Sequence, residues 1–413
     1  MKITLTLTLL LLVTFSSYSN DDEFNSEIAW DEIISTIQSE YAYLDRVDED
    51  FKTLTSLFRS KALATRTEKE FVDISQSFLR NLQDPHLSLS PLDYDDYIVY
   101  PTGSDIYAEM KGKEIYITDV KANSSAYVEG VRSGMLVQSI DGLLIHEAIE
   151  AVSGLSIEKL SQDQQRYAIN IALGGKRYKS RILKVLIDES VRTYKLAASY
   201  DSINKLKSGP KVSYKEINDI GYIRFNNSLG DNGSVIEFQQ AIEVLAQTKG
   251  LIIDLRNTPS GGNTGVAEPI LGHFTKTETV YQRYKTQESG HYYYDALYQQ
   301  ATALPQKPFI NKPFVVLAGR WTGSMGEGMT IGLDAIGAQA VIGAPMADLL
   351  GGIKQIQLDK SNATITLGFE RLYHVDGRFR EDFEPTIVLK SADTDEKGND
   401  IALLKALEVL TAN

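Results

Sequence analysis

Phe314-Val315-Val316-Leu317-Ala318-Gly319-Arg320-Trp321-Thr322-Gly323-Ser324-Met325-Gly326-Glu327-Gly328 is five apolar residues, a short Gly-containing turn and the opening of a helix. An apolar run without alternation predicts a strand covered on both faces. The same grammar recurs on either side of it: Tyr222 to Phe225, a helix around Val235 to Leu245, Leu251-Ile252-Ile253, a helix after Gly265, and Val341-Ile342-Gly343. Strands alternating with helices predict an α/β layer, in which ligands gather where strands end and helices begin. Ser324 stands at such a point. There its hydroxyl projects past the sheet, and the free N–H of Met325 together with the helix dipole can hold an oxyanion. The same spacing also fits a capping box, with Ser324 as N-cap and Glu327 three residues on. Spacing alone leaves both readings open.

A second strand runs into a Gly-rich turn at Leu251-Ile252-Ile253-Asp254-Leu255-Arg256-Asn257-Thr258-Pro259-Ser260-Gly261-Gly262-Asn263. Bare backbone amides at Gly261 or Gly262 would supply the other half of an oxyanion hole, although loop closure explains a glycine pair equally well.

Further from these motifs, composition narrows the classes. A chain of 413 residues exceeds one ordinary domain, and 43% hydrophobic with 23% charged residues fits a globular protein. The net charge of −13 repels phosphate backbones, so no nucleic acid is expected as a partner. Zero Cys removes thiol nucleophiles, disulfides and Fe–S clusters. No two of the five His (86, 146, 273, 291, 374) stand at helix-face spacing, so neither metal nor cofactor is expected.

The N-terminus reads as a signal peptide over residues 1–19: Lys2, an apolar run from Ile3 to Phe15, then Ser17-Tyr18-Ser19 with cleavage after Ser19. The run is too short for a ~30 Å bilayer core, so a periplasmic or secreted protein with no membrane insertion is expected; an uncleaved anchor is the alternative. Helical spacing from Glu27 to Leu82 predicts a helical domain over residues 20–95. Short alternating strands punctuated by Gly130, Gly134 and Gly142 predict a β module over 96–198. The polar stretch Ser199 to Pro210 reads as a linker opening the α/β core at 199–413.

Together these motifs resemble the S41-type serine peptidases, the C-terminal processing or tail-specific proteases and the tricorn core proteases. Asp254 to Gly262 and Ser324 to Glu327 match that family's two core motifs in order. Gly130-Val131-Arg132-Ser133-Gly134, with Ile140-Asp141-Gly142, resembles a PDZ domain, and Phe383-Glu384-Pro385-Thr386-Ile387-Val388 is similar to the family's closing stretch. The resemblance implies a crotonase-like ββα spiral catalytic core, an inserted PDZ-like β domain and a small N-terminal helical domain. It also implies an endopeptidase acting on unfolded proteins or peptides.

One branch of that family pairs Ser with Lys, but Gly343 to Gly352 here holds no Lys. Lys354 follows, alternating with apolar residues on a strand face that points to water. The other branch uses His, and Leu82-Gln83-Asp84-Pro85-His86-Leu87 resembles its His-bearing turn. The resemblance therefore implies Ser324 as nucleophile, His86 as general base and Glu381 as orienting carboxylate, with Lys354 the alternative base and Asp382 the alternative acid. Met325 with Gly261 or Gly262 would form the oxyanion hole. The PDZ-like module would capture a chain terminus along Gly103 to Glu109, although Asp105, Glu109 and Met135 fit that role poorly. The remaining histidines read as ordinary surface or packing residues, and Tyr292-Tyr293-Tyr294 as a substrate-lining loop or a packed edge. A catalytically inactive relative that binds peptides or small apolar ligands, and an esterase using the same serine, are the competing functions.

Overall fold

Phe314–Ala318 is a strand buried along its whole length, in a computed structural model that describes residues 24–101, 103–286 and 296–412. The leader read in residues 1–19, His291 and Tyr292 to Tyr294 lie outside the described residues. The strand sits inside a six-stranded sheet ordered Ile387–Val388, Val341–Gly343, Phe314–Ala318, Gly250–Asp254, Ile220–Phe225, Val212–Ile217. The first five run parallel and Val212–Ile217 closes the sheet antiparallel.

The absence of alternation has a direct cause. Leu251, Ile253, Phe314 and Val316 pack into one cluster with the helices Gly233–Val244, Thr264–Gly272 and Met325–Ile336. Ile252, Val315 and Leu317 face the opposite side, where the C-terminal helix Ile401–Thr411 covers them through Ala402, Ala406 and Leu410. Phe314–Ala318 is therefore apolar at every position and Gly250–Asp254 along its middle, as parallel strands between two helical layers require.

Helices Ser26–Glu40, Asp48–Leu63 and Glu68–Arg80 form the N-terminal layer around Trp30, Phe58, Phe71 and Phe78. An antiparallel module follows, with sheet order Ile106–Lys111, Glu114–Val120, Leu136–Ile140, Arg181–Ile187, Ser190–Leu196 and the helix Gln162–Gly174 beside it. One continuous buried cluster joins the N-terminal helices to this module and to Leu358, Ala363, Ile365 and Leu367. The architecture is mixed α/β with several sheets. Ser199 to Pro210 is not an open linker: it holds the helix Ser199–Lys207, anchored where Ser199 Oγ donates to the Gly174 carbonyl at 2.8 Å.

One pairing positions the site. Ser88–Ser90 lies antiparallel to Thr364–Gly368, with Leu89 opposite Ile365. This draws the turn containing His86 onto the chain that follows the Ser324 helix. No helix among the described residues is long and apolar enough to cross a membrane.

Candidate active site

Ser324 leads into the helix Met325–Ile336 with φ +52° and ψ −112°. A non-glycine residue with positive φ is costly and persists only where surrounding bonds hold it. Here they do. Gly323 N–H donates to the Thr258 carbonyl at 3.2 Å, and Thr322 Oγ1 donates to the Leu255 carbonyl at 3.0 Å. These bonds stitch together the loops after the two central strands.

Ser324 N–H donates to Glu327 Oε2 at 2.7 Å, while Asp348 N–H and Leu349 N–H reach the same carboxylate at 3.0 and 3.2 Å. Glu327 is thus the capping partner expected at the third helical position and also the clamp that pulls 348–349 onto the helix start. Burial pushes its carboxyl up to about 8, against these three donors and the Arg380 guanidinium 3.7 Å away. Arg380 Nη1 donates to the Ser324 carbonyl at 3.3 Å, and its other terminal nitrogen donates to the Leu349 carbonyl.

Gly261 lies directly against the serine. A methyl group there would stand 2.4 Å from Ser324 Cβ and 3.0 Å from both Ser324 Oγ and Met325 N, at a φ of +61°. Gly262 is confined as well, since its added Cβ would meet the Leu229 carbonyl oxygen at 2.0 Å. The Gly261 N–H is committed to the Thr258 carbonyl at 3.0 Å, whereas among the described residues the N–H groups of Met325 and Gly262 donate to no acceptor. Gly261→Ala is therefore expected to lower kcat by about 100-fold or more and stability by roughly 2 kcal/mol. Steady-state kinetics and thermal unfolding measure the two effects separately, and near-wild-type values in both would mean the glycine is not packed on the serine.

His86 is 8% exposed. Its Nδ1–H donates to the Leu350 carbonyl at 3.1 Å, and the Gly351 backbone is a second hydrogen-bond partner of the ring; in this tautomer Nε2 carries no proton. Burial lowers its pKa from 6.5 to about 4, helped by Arg380. Its backbone N–H donates to Asp84 Oδ1 at 2.8 Å, and Tyr41 Oη donates to Asp84 Oδ2 at 2.8 Å. The Leu350 backbone also hydrogen-bonds Asp84, whose carboxyl burial pushes up to about 7. One carboxylate thereby fixes both chain segments that hold the imidazole.

The other candidates fall differently. Glu381, nearly buried, is bound by Arg46, and Asp382 meets the same guanidinium at 3.3 Å. Among the described residues no hydrogen bond joins Glu381 or Asp382 to His86, and the acceptor that orients the ring is the Leu350 carbonyl. Burial raises the Glu381 pKa. Lys354 is half-exposed on the strand Ile353–Gln357 and ion-paired with Glu40. Ser324 Oγ and His86 share no direct hydrogen bond among the described residues; the 348–350 segment and Arg380 connect their surroundings.

Asp84, Arg380 and Asp348 were not anticipated, although Asp84 and Arg380 stand two residues and one residue before the expected His86 and Glu381. A cavity of about 470 Å³ borders the site, lined by Gln83, Pro85, Tyr107, Arg320, Met346 and Asp348 among others. Arg320 lies over the Tyr107 ring at 4.0 Å. Asp348, at φ +56°, is exposed on the cavity wall.

The model of Peptidase family S41 matches residues 219–389, a segment with Ser324, both glycines and Glu381 but not His86. No curated protein matches the sequence. Among solved structures, a photosystem II D1 C-terminal processing protease is similar at 16% identity with TM-score 0.57, over 90% of this chain and 94% of that one. Mature CPAF complexed with lactacystin is similar at 14% identity with TM-score 0.61, over 94% of this chain and 97% of that one. At such identities the likeness is one of fold.

Proposed function

We propose, for a chain that belongs to peptidase family S41 through residues 219–389 and is a serine-type peptidase, that it is an exported endopeptidase cutting unfolded proteins or peptides with Ser324 as nucleophile and His86 as general base. The observation that carries this reading is Ser324 held at φ +52° between strand and helix, with Gly261 against its Oγ and the Met325 N–H unspent. The parallel strands with their alternating helices support a crotonase-like core, and the antiparallel module supports a PDZ-like insertion.

In this mechanism Ser324 Oγ attacks the peptide carbonyl while His86 Nε2 takes its proton, later delivering it to the leaving amine. The N–H groups of Met325 and Gly262 receive the oxyanion. Leu350 orients the ring, and Asp84 holds Leu350 and His86 in register. Glu381, charge-paired with Arg46 in this arrangement, acts on the Asp84 carboxyl and through it on the register of His86. Closure of the Ser324 to His86 gap accompanies substrate binding, since catalytic hydrogen bonds tighten in the Michaelis complex.

A fluorophosphonate probe tests the reading. It should label Ser324, located by peptide mass spectrometry, in a protein that degrades an unfolded substrate; no labelling and no cleavage would assign the chain to an inactive relative. Cleavage of short esters without peptides would make it an esterase.

Asp84 supplies a sharper check as a positioning residue. Asp84→Asn keeps its shape but replaces an acceptor with an amide N–H₂ facing donors. It should lower kcat by about 10- to 100-fold and leave KM within about twofold. A purely structural role would move thermal stability while leaving kcat in place.

A further inference from the structure

Ile106–Lys111 is the edge strand of the antiparallel module. An open edge of this kind takes a peptide as an added strand, with loop amides ahead of it holding the terminal carboxylate. Gly103 to Glu109 was expected from the sequence to do this. The structure leaves that edge little hydrogen-bonding capacity.

Ile106 and Ala108, two residues apart, have both main-chain groups filled by side chains of the same molecule. Ser104 Oγ donates to the Ile106 carbonyl at 2.8 Å and accepts from Ile106 N–H at 3.3 Å. Asn170, completely buried on the helix Gln162–Gly174, accepts from Ala108 N–H through Oδ1 and donates through Nδ2 to the Ala108 carbonyl, each at 2.8 Å. Its amide imitates the hydrogen-bonding edge of a neighbouring strand.

The loop ahead of the strand is committed too. Gly103 N–H donates to the Val99 carbonyl and Ser104 N–H to the Pro101 carbonyl, at 2.6 and 3.0 Å. The buried Asp105 carboxylate takes Arg181 and accepts from Ala126 N–H at 3.2 Å. A fixed negative charge therefore stands in the loop where an incoming carboxylate would need to bind, and its nearest guanidinium is already paired. Helix Gln162–Gly174 packs over the strand through Ala168, Ile169, Ala172 and Leu173, in the same buried cluster as Ile106 and Ala108.

We infer that this edge is a structural seam rather than a docking strand, and that the enzyme selects internal stretches of its substrate with no requirement for a free carboxy-terminus. The second half rests on the peptidase reading above; the first does not.

Hydrogen exchange on Ser324→Ala protein tests the seam without any hydrolysis. The Ile106 and Ala108 amides should exchange slowly in the free protein, and ~1 mM of an unstructured apolar peptide, as free acid or as amide, should leave them unchanged. Fast exchange that slows when the free-acid peptide is added overturns the seam. Asn170→Ala should speed exchange at Ala108 by about tenfold or more, and an unaltered Ala108 overturns the clamp; if that variant does not fold, the unsubstituted Asn170 measurement still decides. With Ser324 intact, one unfolded substrate bearing a free or amidated carboxy-terminus should be cut at rates within about twofold of each other. A tenfold preference for the free acid refutes the substrate inference. Failure to cut either form refutes the peptidase reading and, with it, the substrate inference, while the exchange result stands.

Discussion

Replacing Ser324 by alanine is expected to lower kcat by about four to six orders of magnitude while the protein stays folded. The change removes one hydroxyl. The bonds that hold the loop in place use the main-chain groups of Ser324, its N–H donating to the Glu327 carboxylate and its carbonyl accepting from Arg380, and both survive in alanine. Alanine also bears the same positive φ that serine does, so the strain is unchanged. Loss of a polar group at a helix start costs at most ~1–2 kcal/mol. Circular dichroism and thermal unfolding should therefore match the parent closely, while degradation of an unfolded protein disappears. Residual cleavage at the wild-type rate would remove Ser324 from the chemistry, whatever its geometry.

Legibility in the sequence followed the physics of each feature. The strands Gly250–Asp254 and Phe314–Ala318 were readable because burial on two faces gives them the unalternating apolar runs Leu251-Ile252-Ile253 and Phe314 to Ala318. The place of Ser324 between strand and helix was readable because an apolar run ends in a Gly-containing turn ahead of helical spacing, whereas the close approach of Gly261 to the serine came only with the structure. What failed was long-range pairing of ordinary residues. Nothing near Glu381 says that Arg46 will bind it, 335 positions away. Nothing marks Leu350 as the partner of His86, because the group that serves is a backbone carbonyl common to every residue. Asn170 lies on a helix inside a stretch whose sequence read as short alternating strands, and Ser199 to Pro210 read as a linker because its polar composition hid the contact of Ser199 with Gly174.

Solvent exclusion was equally hidden, and it changes the expected pH behaviour. A histidine read as a turn residue would titrate near 6.5. Buried as it is, His86 sits at about 4. If it is the base, kcat/KM should rise as pH passes through about 4 and be level by neutral pH, because only the neutral imidazole accepts the serine proton. His86→Ala should reduce kcat by about three orders of magnitude or more, whereas Lys354→Ala, which breaks a half-exposed pair with Glu40, should leave it within about twofold. The opposite result would hand the base to Lys354.

The same shift has a thermodynamic counterpart with a definite sign. Between pH 6.5 and about 4 the unfolded chain binds a proton at His86 that the native chain refuses, so this group's contribution to stability falls as pH falls. Over that window the loss is on the order of 3 kcal/mol. His86→Ala lacks it. The stability difference between wild type and His86→Ala should therefore shrink by about that amount from pH 7 to pH 4, measured as paired denaturant melts. A difference that stays constant across the window would mean that the imidazole is solvated, and the burial that gives His86 its low pKa would be wrong.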